Sequence, residues 1–568
     1  MDTVNQAMES DDESVGASEV SSHELVRYGD NPLASEARGL VSENRDLFSE
    51  TLRGRPPMKC APISFEVKDG PPVHIKQYPF DERRTAVVDA TVVNWEKDDV
   101  IGEHGALQPH DYCLSLVCAD QLFKHCGESK VKTRVCLDLR PVNTRVCSSK
   151  MVSTTEPYES HIRRLGSSEG LYFGVDVTQG FLQIEVDPAC WKYLIFRWNG
   201  RYYHFKRLPF GLLIAPIYFQ LVMDNTLAVD AGVPSYVDDL VWRSMSLLVL
   251  KRLFISARRH CITFKGSKAE LGVDSIGFFG QWFSQDGVSM ATGRAEDLRQ
   301  LLPLQRVQHI QKFLGTLLFV DQYLPSVHVS PVDGPSAEMV DGYRRCTRRL
   351  QKLLDKDPKS GKRSRMLSDV QQGLANEWAE FILKYCVHQI CLRFPIPGVE
   401  CVLYTDASVE GSGGACCQRQ DGRLVILGYF IKGFGKHALN WPMSTKELAA
   451  LAYGLSRFAP LIQMSAVPPV AFVDNSGLYG ILSHDEVAMA EVRKRKAHVW
   501  VWIRLLMLVR FWSCRVEWLR GTANCLADAL SRALGLQEVQ PLVPHPDCRC
   551  SDCTGDCPFH LPFDLLGC

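Results

Sequence analysis

The sequence predicts a multidomain α/β protein in which two mixed α/β blocks flank a helical, basic stretch. Three observations carry that expectation. At roughly 150 residues per domain, a chain of 568 residues points to three or four domains. Strand-like runs alternate with helical ones between residues 60 and 285, and the mixture returns from about 395 to 534, the pattern of α/β layers. Hydrophobic residues at 46% and charged residues at 23% are ordinary globular values, which exclude global disorder.

The elements follow in order. Residues 1–30 are acidic, Ser-rich and aperiodic, so they have no apolar face to bury and are expected to be a disordered leader. They contain no apolar core of a signal peptide. Apolar residues recur at helical spacing from Leu33 to Ser49. Pro56-Pro57 then breaks the pattern, and Ile63–Val67 alternates as a strand. Arg134–Leu139, Tyr172–Val177, Gln183–Val186 and Tyr193–Trp198 read as strands, while Pro216–Val229 and Ser246–His260 read as helices. These belong to a block at 31–285. Helical signals dominate residues 286–394. A second block, 395–536, opens with the strand Val402–Asp406 and the Gly-rich Gly411–Gly414. Residues 537–568 form a Cys-rich tail.

Sixty-four Lys+Arg against sixty-five Asp+Glu give a net charge of −1. That excludes a uniformly basic protein, so any nucleic-acid partner must be held by local cations. The densest group is Arg344, Arg345, Arg348, Arg349, Lys352, Lys356, Lys359, Lys362, Arg363 and Arg365, either a solvated face or a phosphate-tracking surface. Twenty-one cysteines, odd in number and scattered through apolar runs, fit reduced thiols in a cytosolic or nuclear compartment. The longest apolar stretch, His498–Trp512, contains Arg504 and Arg510 and is shorter than a bilayer span of about twenty residues. A soluble chain without membrane contact is expected.

Two carboxylate constellations carry the chemistry. In the first, Tyr236-Val-Asp238-Asp239 sets paired aspartates between apolar residues, and the strand Leu171-Tyr-Phe-Gly-Val-Asp176 delivers a third acid. Two strands bringing acids to one place would build a hard-oxygen site for Mg²⁺. Two such ions about 3.5–4 Å apart can activate a 3′-hydroxyl and neutralise a leaving pyrophosphate. The order Asp176-Val-Thr-Gln-Gly-Phe181, then Leu208-Pro-Phe210-Gly211-Leu-Leu-Ile-Ala215-Pro216, then Tyr236-Val-Asp-Asp239 resembles the reverse transcriptases of long-terminal-repeat (Ty3/gypsy-like) and tyrosine-recombinase (DIRS-like) retrotransposons. The likeness extends to Gln77-Tyr-Pro79, Arg134-Val-Cys-Leu-Asp138-Leu-Arg140-Pro-Val-Asn143, Ile262-Thr-Phe264…Lys268 and Phe313-Leu-Gly315.

That resemblance implies a right-hand polymerase with fingers and palm over 31–285 and a thumb and connection over 286–394. It makes Asp176, Asp238 and Asp239 the palm metal ligands. Phe181 becomes the ring that would collide with a ribose 2′-OH, and Arg134 a fingers guanidinium over the incoming triphosphate. Asp138, Phe210, Gly211 and Tyr236 line the substrate site. Two departures stand out. The stretch Lys124–Lys132 does not reveal which lysine meets the triphosphate, and Ile214 stands where the family commonly has Asn.

In the second constellation Asp406 ends a strand, Glu447 lies in a helical segment, Asp474 ends another strand, and Asp528 sits in Asn524-Cys-Leu-Ala527-Asp528-Ala-Leu-Ser531-Arg532. Four acids from separate elements converging on one cleft would hold two Mg²⁺ ions about a scissile phosphate. Together they resemble the ribonuclease H (RNase H) domain that follows reverse transcriptase in retroelements, which makes 395–536 an RNase H-like α/β domain. Retroviral members often place a His shortly before the last acid. Here the nearest upstream is His498, thirty residues away.

The resemblance thus implies an RNA- and DNA-templated DNA polymerase that also cleaves RNA in RNA-DNA hybrids. Its partners would be an RNA template, a DNA primer, the hybrid and deoxynucleoside triphosphates, with Mg²⁺, or Mn²⁺ as an alternative, in both clefts. His545, Cys548, Cys550, Cys553, Cys557 and His560 are zinc-capable donors, set against an unstructured tail. The expected location is cytoplasmic, nuclear or within retroelement particles; oligomeric state is not legible. The rival reading is a domesticated or decayed element product that binds nucleic acid without catalysis. Seven acids retained at seven metal positions argue against it.

Overall fold

The computed structural model describes residues 21–125, 128–147, 158–291, 293–320, 323–324, 337–354, 366–388, 391–435, 437–484, 490 and 499–532. The cysteine tail and the second half of the basic segment, Lys356 to Arg365, lie outside these residues, as does His498. The described chain divides into two compact units. One takes the residues up to Tyr158 together with Ser168–Ile276; the other takes Glu159–Ser167 and the residues from Gly277 onward.

The first unit opens with β1 (Arg27–Tyr28), α1 (Pro32–Glu43), α2 (Glu82–Lys97), β2 (Ile101–His104), β3 (Cys113–Leu114), the hairpin β4 (Leu116–His125) and β5 (Glu128–Leu137), and α3 (Arg140–Asn143). After α4 (Tyr158–Ser167), which falls mainly in the second unit, come β6 (Leu171–Val177), β7 (Ile195–Trp198), β8 (Arg201–Phe205) and α5 (Ala215–Met223). A π-helical stretch, Asp224–Ala228, joins α5 to α6 (Val229–Ala231). Then follow β9 (Ser235–Tyr236), β10 (Asp239–Ser244), α7 (Leu248–His260) and β11 (Phe264–Val273).

The central sheet has the order β1-β11-β6-β10-β9 and a second sheet the order β2-β8-β7-β3. Central strands of a covered sheet are buried on both faces, which is why β6 reads as an unbroken apolar run ending in Asp176. Three sequence expectations need correction. The leader does not extend to residue 30, because Arg27 and Tyr28 pair in parallel with Glu270 and Leu271. Ile63–Val67 and Gln183–Val186 are not ladder strands. They form isolated bridges, among them Ile63 to Val186, and the residues before Ile184 form a short 3₁₀ turn.

In the second unit the three-stranded sheet of β12 (Ser275–Phe278, which begins in the first unit), β13 (Gln281–Ser284) and β14 (Gly287–Met290) precedes four helices. These are α8 (Gly293–Arg299), α9 (Val307–Val320), α10 (Ala337–Leu354) and α11 (Asp369–Tyr385), the helical stretch expected from composition. Ser368 caps α11, its hydroxyl accepting from the Gln371 N–H while the Gln371 side chain accepts from the Ser368 N–H.

The remainder is a five-stranded sheet with two flanking cores. Its strands are β15 (Cys401–Ala407), β16 (Gly411–Gln420), β17 (Arg423–Gly433), β18 (Val470–Val473) and β19 (Arg515–Trp518), in the order β17-β16-β15-β18-β19. β15 pairs antiparallel with β16 and parallel with β18. Helices α12 (Met443–Arg457), α13 (Ala459–Ser465) and α14 (Ser476–Leu482) are followed by the helices Val499–Phe511 and Cys525–Arg532. Alternation along β15 sends Cys401 and Leu403 into a core with Leu448, Leu451 and Trp502, and Tyr404 into another with Leu526, Ala527 and Leu530. Cys401, Cys416 and Cys417 in this sheet are buried free thiols. No described helix is long and apolar enough to cross a membrane.

Candidate active sites

The first unit gathers its acids by strand register. Asp176 ends β6 directly opposite Asp239 at the start of β10. Tyr236 pairs with Asp239 across the hairpin, so Val237 and Asp238 form the two-residue turn between them. Val237 sits at φ 56, a left-handed conformation costly for a β-branched residue. Gln220, buried in α5, offsets that strain. Its Oε1 accepts from the Val237 N–H at 2.9 Å, while its Nε2 reaches Asp224 and Ser235. The clamp fixes the turn that presents both aspartates.

Burial and mutual repulsion both act on these carboxylates. Burial raises the pKa of Asp176 above the usual carboxylate range, opposed by Lys268, whose ammonium donates to Asp176 Oδ2 at 2.8 Å. Asp239 is pushed up to about 7, first by the protein mass around its carboxyl and then by the charges of Asp238 and Asp176. The side chain keeps contact with solvent, and the like charges beside it favour its protonated form. Lys268 is thus a cation that the motif contained and to which sequence reasoning assigned no role.

The substrate-side residues divide. Half-buried Phe181 packs between Phe210 and Phe219, with ring centroids 5.4 and 5.3 Å away. A Cβ at the preceding Gly180 would lie 3.5 Å from the Asp238 Cβ, so this turn stands against the acids. Phe210 is 41% exposed. Gly211, at φ 93, needs the conformational freedom of glycine. The loop they form is pinned by Asn143, which donates to Gly211 O and accepts from Leu213 N, both at 2.8 Å. Ile214 is buried behind it.

Arg134 lies exposed on the β4–β5 hairpin, opposite Ala119. Asp138 departs from the expected substrate contact: it is buried and both its oxygens are taken by Arg140, at 2.8 and 2.6 Å. That leaves the exposed Arg140 as the group facing outward, a residue the motif contained without a role.

The second unit draws its acids closer. Asp406 ends β15, Glu447 lies on α12, Asp474 follows β18, and Asp528 is on the helix Cys525–Arg532. Among the described residues, Asp406, Glu447 and Asp474 are the group of three acids whose ligand atoms all lie within 4.8 Å of one another. Burial pushes Asp406 up to about 6 and Glu447 up to about 10, each raised further by its acidic neighbours, and Asp474 rises for the same first reason. Glu447 Oε2 is buried with no hydrogen-bond partner. Packed carboxylates with an orphaned oxygen are the donor set of a hard divalent cation. Asp528 stands outside the trio, its Oδ1 bound by Arg532 at 2.6 and 2.5 Å. The palm acids do not meet the 4.8 Å spacing.

Hydrogen bonds to main chain and side chain hold the second cluster. Trp518 Nε1 donates to Asp474 O at 3.1 Å, and Asn524 Nδ2 to Thr405 O at 3.1 Å. Ser531 Oγ donates to Asp406 Oδ2 at 2.6 Å. Sequence reasoning assigned none of these three a role.

Comparison with known proteins finds similarity to one family of domains and to longer polyproteins. Residues 379–468 match the RNase H-like domain found in reverse transcriptase. The chain is 23% identical over 515 residues to the retrovirus-related Pol polyprotein from transposon 412 of Drosophila melanogaster, covering 88% of this chain and 37% of that protein. It is 20% identical over 518 residues to the transposon Tf2-3 polyprotein of Schizosaccharomyces pombe, covering 89% and 35%. Residues 379–468 thus resemble an RNase H-like domain of reverse transcriptases, and the chain as a whole is similar to part of retrotransposon polyproteins.

It spans between a third and a half of the length of the curated relatives it matches. Those relatives are Ty3/gypsy-like, the long-terminal-repeat alternative of the two left open by sequence. The fold of this region is shared with foamy viral protease-reverse transcriptase. In complex with double-stranded DNA, that protein matches at a TM-score of 0.65 and 15% identity, covering 87% of this chain and 80% of that one. In complex with RNA/DNA hybrid the score is 0.64 at 15% identity, covering 87% and 62%.

Proposed function

We propose that this chain copies RNA and DNA templates into DNA with its first unit and cleaves the RNA of RNA-DNA hybrids with its second. The observation that carries the reading is the convergence of acids from separate elements in each unit, in the order the two motif sets require. Relatives named as Pol polyproteins and neighbours solved with double-stranded DNA and RNA/DNA hybrid support it.

The proposed division of labour follows from position. Asp176, Asp238 and Asp239 would hold divalent cations, for which we propose Mg²⁺, and Asp406, Glu447, Asp474 and Asp528 would hold the second set. When bound, such ions lower the pKa of an attacking hydroxyl or water and neutralise charge on the phosphate. The protein contributes the framework. Gln220 keeps the Val237–Asp238 turn in its strained form, and Lys268 compensates Asp176. Phe181, backed by two rings, stands rigid where a 2′-OH would meet it. Arg140 and Arg134 offer guanidinium groups to phosphates on the fingers side. In the second unit Ser531 and Trp518 hold Asp406 and the Asp474 backbone.

Primer extension on homopolymeric RNA, in Mg²⁺ and then Mn²⁺, tests the polymerase. Release of labelled RNA from a hybrid by the same preparation tests the nuclease. DNA synthesis and RNA release are expected together. Hybrid binding with neither activity would favour a decayed, binding-only product.

A further inference from the structure

Asp406 is a buried acid of the second cluster, and a buried carboxylate needs something to fix its orientation. Its strand supplies part of the answer. In the β15–β16 ladder Asp406 lies directly opposite Gly413. A Cβ built on Gly413 would come within 2.3 Å of Leu530 C and Ser531 N, so the last turn of the helix Cys525–Arg532 rests on bare backbone beside Asp406. Only glycine leaves that seat open.

On this seat Ser531 is fully buried. Its hydroxyl lies 2.6 Å from Asp406 Oδ2 and 3.0 Å from Asp528 O. A hydroxyl has one proton to give, and the shorter contact with the charged acceptor wins it. The Ser531 carbonyl in turn accepts from Ser408 Oγ at 2.8 Å, so the turn is tied to the loop that follows β15 as well. The Asp406 carboxylate is thereby held at Oδ2 by Ser531 while it shares a 4.8 Å cluster with Glu447 and Asp474.

We infer that Ser531 is a positioning residue for Asp406: seated by Gly413, it fixes the carboxylate so that the cation site of the second unit is preformed before substrate arrives. The inference rests on the proposed nuclease reading and adds to it a residue that touches neither phosphate nor cation.

The test uses the full chain with Asp176→Asn and Asp238→Asn in place, so that the palm does not contribute binding. Mn²⁺ affinity is read by electron paramagnetic resonance of the free ion. Ser531→Ala is expected to weaken Mn²⁺ binding about tenfold, equivalent to ~1.4 kcal/mol. Ser531→Thr, which keeps the hydroxyl, should recover most of that affinity. Gly413→Ala keeps the hydroxyl but lifts the helix off its seat, and should weaken the same site even if Ser531→Ala folds poorly. In a chain with an intact palm, Ser531→Ala should lower kcat for hybrid cleavage, leave KM for the hybrid unchanged, and leave primer extension at the wild-type rate. Unchanged Mn²⁺ affinity in Ser531→Ala, or a change confined to KM, overturns the inference. A parent chain whose Mn²⁺ binding is indifferent to Asp474→Asn would instead remove the metal reading beneath it.

Discussion

His204, in β8 of the first unit, is a buried base placed where protonation should oppose folding. Its side chain is buried, it faces Gly102 across the β2–β8 pair, and neither ring nitrogen has a hydrogen-bond partner. Trp191 stacks on it at a centroid distance of 4.4 Å, and the His104 ring meets it edge-on at 5.5 Å. Burial, with smaller contributions from His104 and Lys206, lowers its pKa to about 4 from an ordinary 6.5.

The sign follows from linkage. The folded state holds the neutral ring, so stability is complete above pH 6.5 and is lost as pH falls through 6.5 toward 4. At 1.36 kcal/mol per pKa unit, the loss approaches roughly 3 kcal/mol below pH 4. His204→Phe keeps a flat ring against Trp191 and removes the proton site. Urea unfolding followed by tryptophan emission at pH 7, 5.5 and 4 should show the variant near wild type at pH 7 and about 3 kcal/mol less acid-sensitive at pH 4. Equal acid sensitivity in both chains would refute the reasoning and shift the acid response to other groups.

Three further outcomes are expected. Asp238→Asn should lower primer extension by about 10²–10³-fold, the scale of losing one preorganised charge-stabilising group, while hybrid cleavage stays within twofold; equal loss of both would mean that the two activities share a site. Phe181→Val should raise ribonucleotide incorporation relative to the matched deoxynucleotide by roughly 5–150-fold, the equivalent of about 1–3 kcal/mol of relieved overlap, and an unchanged ratio in single-nucleotide kinetics would remove Phe181 from the gate. On α10, Arg344 is buried and Arg348 half-buried, so the exposed cations of the segment there are Arg345, Arg349 and Lys352, with Arg349 lying 5.6 Å over the Trp378 ring. Changing those three to Gln should flatten the plot of log hybrid affinity against log salt by about 0.7–0.9 for each phosphate that is no longer neutralised, whereas an unchanged slope in a filter-binding titration would make the helix a solvated face.

What the sequence disclosed and what it hid divide along one physical line. The candidate acids were legible because the proposed chemistry constrains residue type and the strand-end or helix position constrains spacing. In the fold, register sets Asp176 against Asp239, and three of the four acids proposed for the second site form a 4.8 Å group. The supporting residues were illegible because a hydrogen bond between distant segments leaves no periodicity. Gln220 reads as one more residue of an apolar helix until the turn at Val237 is seen to need an acceptor, and Asn143 as the end of a strand motif until it is found clasping Gly211 and Leu213. Asp138 entered through the resemblance alone, and its buried pairing with Arg140, two residues on, is a local contact that no alternation rule foresees. The same logic explains the false strands at Ile63–Val67 and Gln183–Val186. Alternation predicts which face would be buried, but a ladder also needs a neighbour in register, and there the neighbour gives only single bridges. Reading acids from sequence therefore locates a cleft, whereas reading the amides and hydroxyls that fix those acids requires the fold. Ser531 makes the point most sharply, for its side chain is too small to signal a role and its whole effect rests on Gly413 being empty.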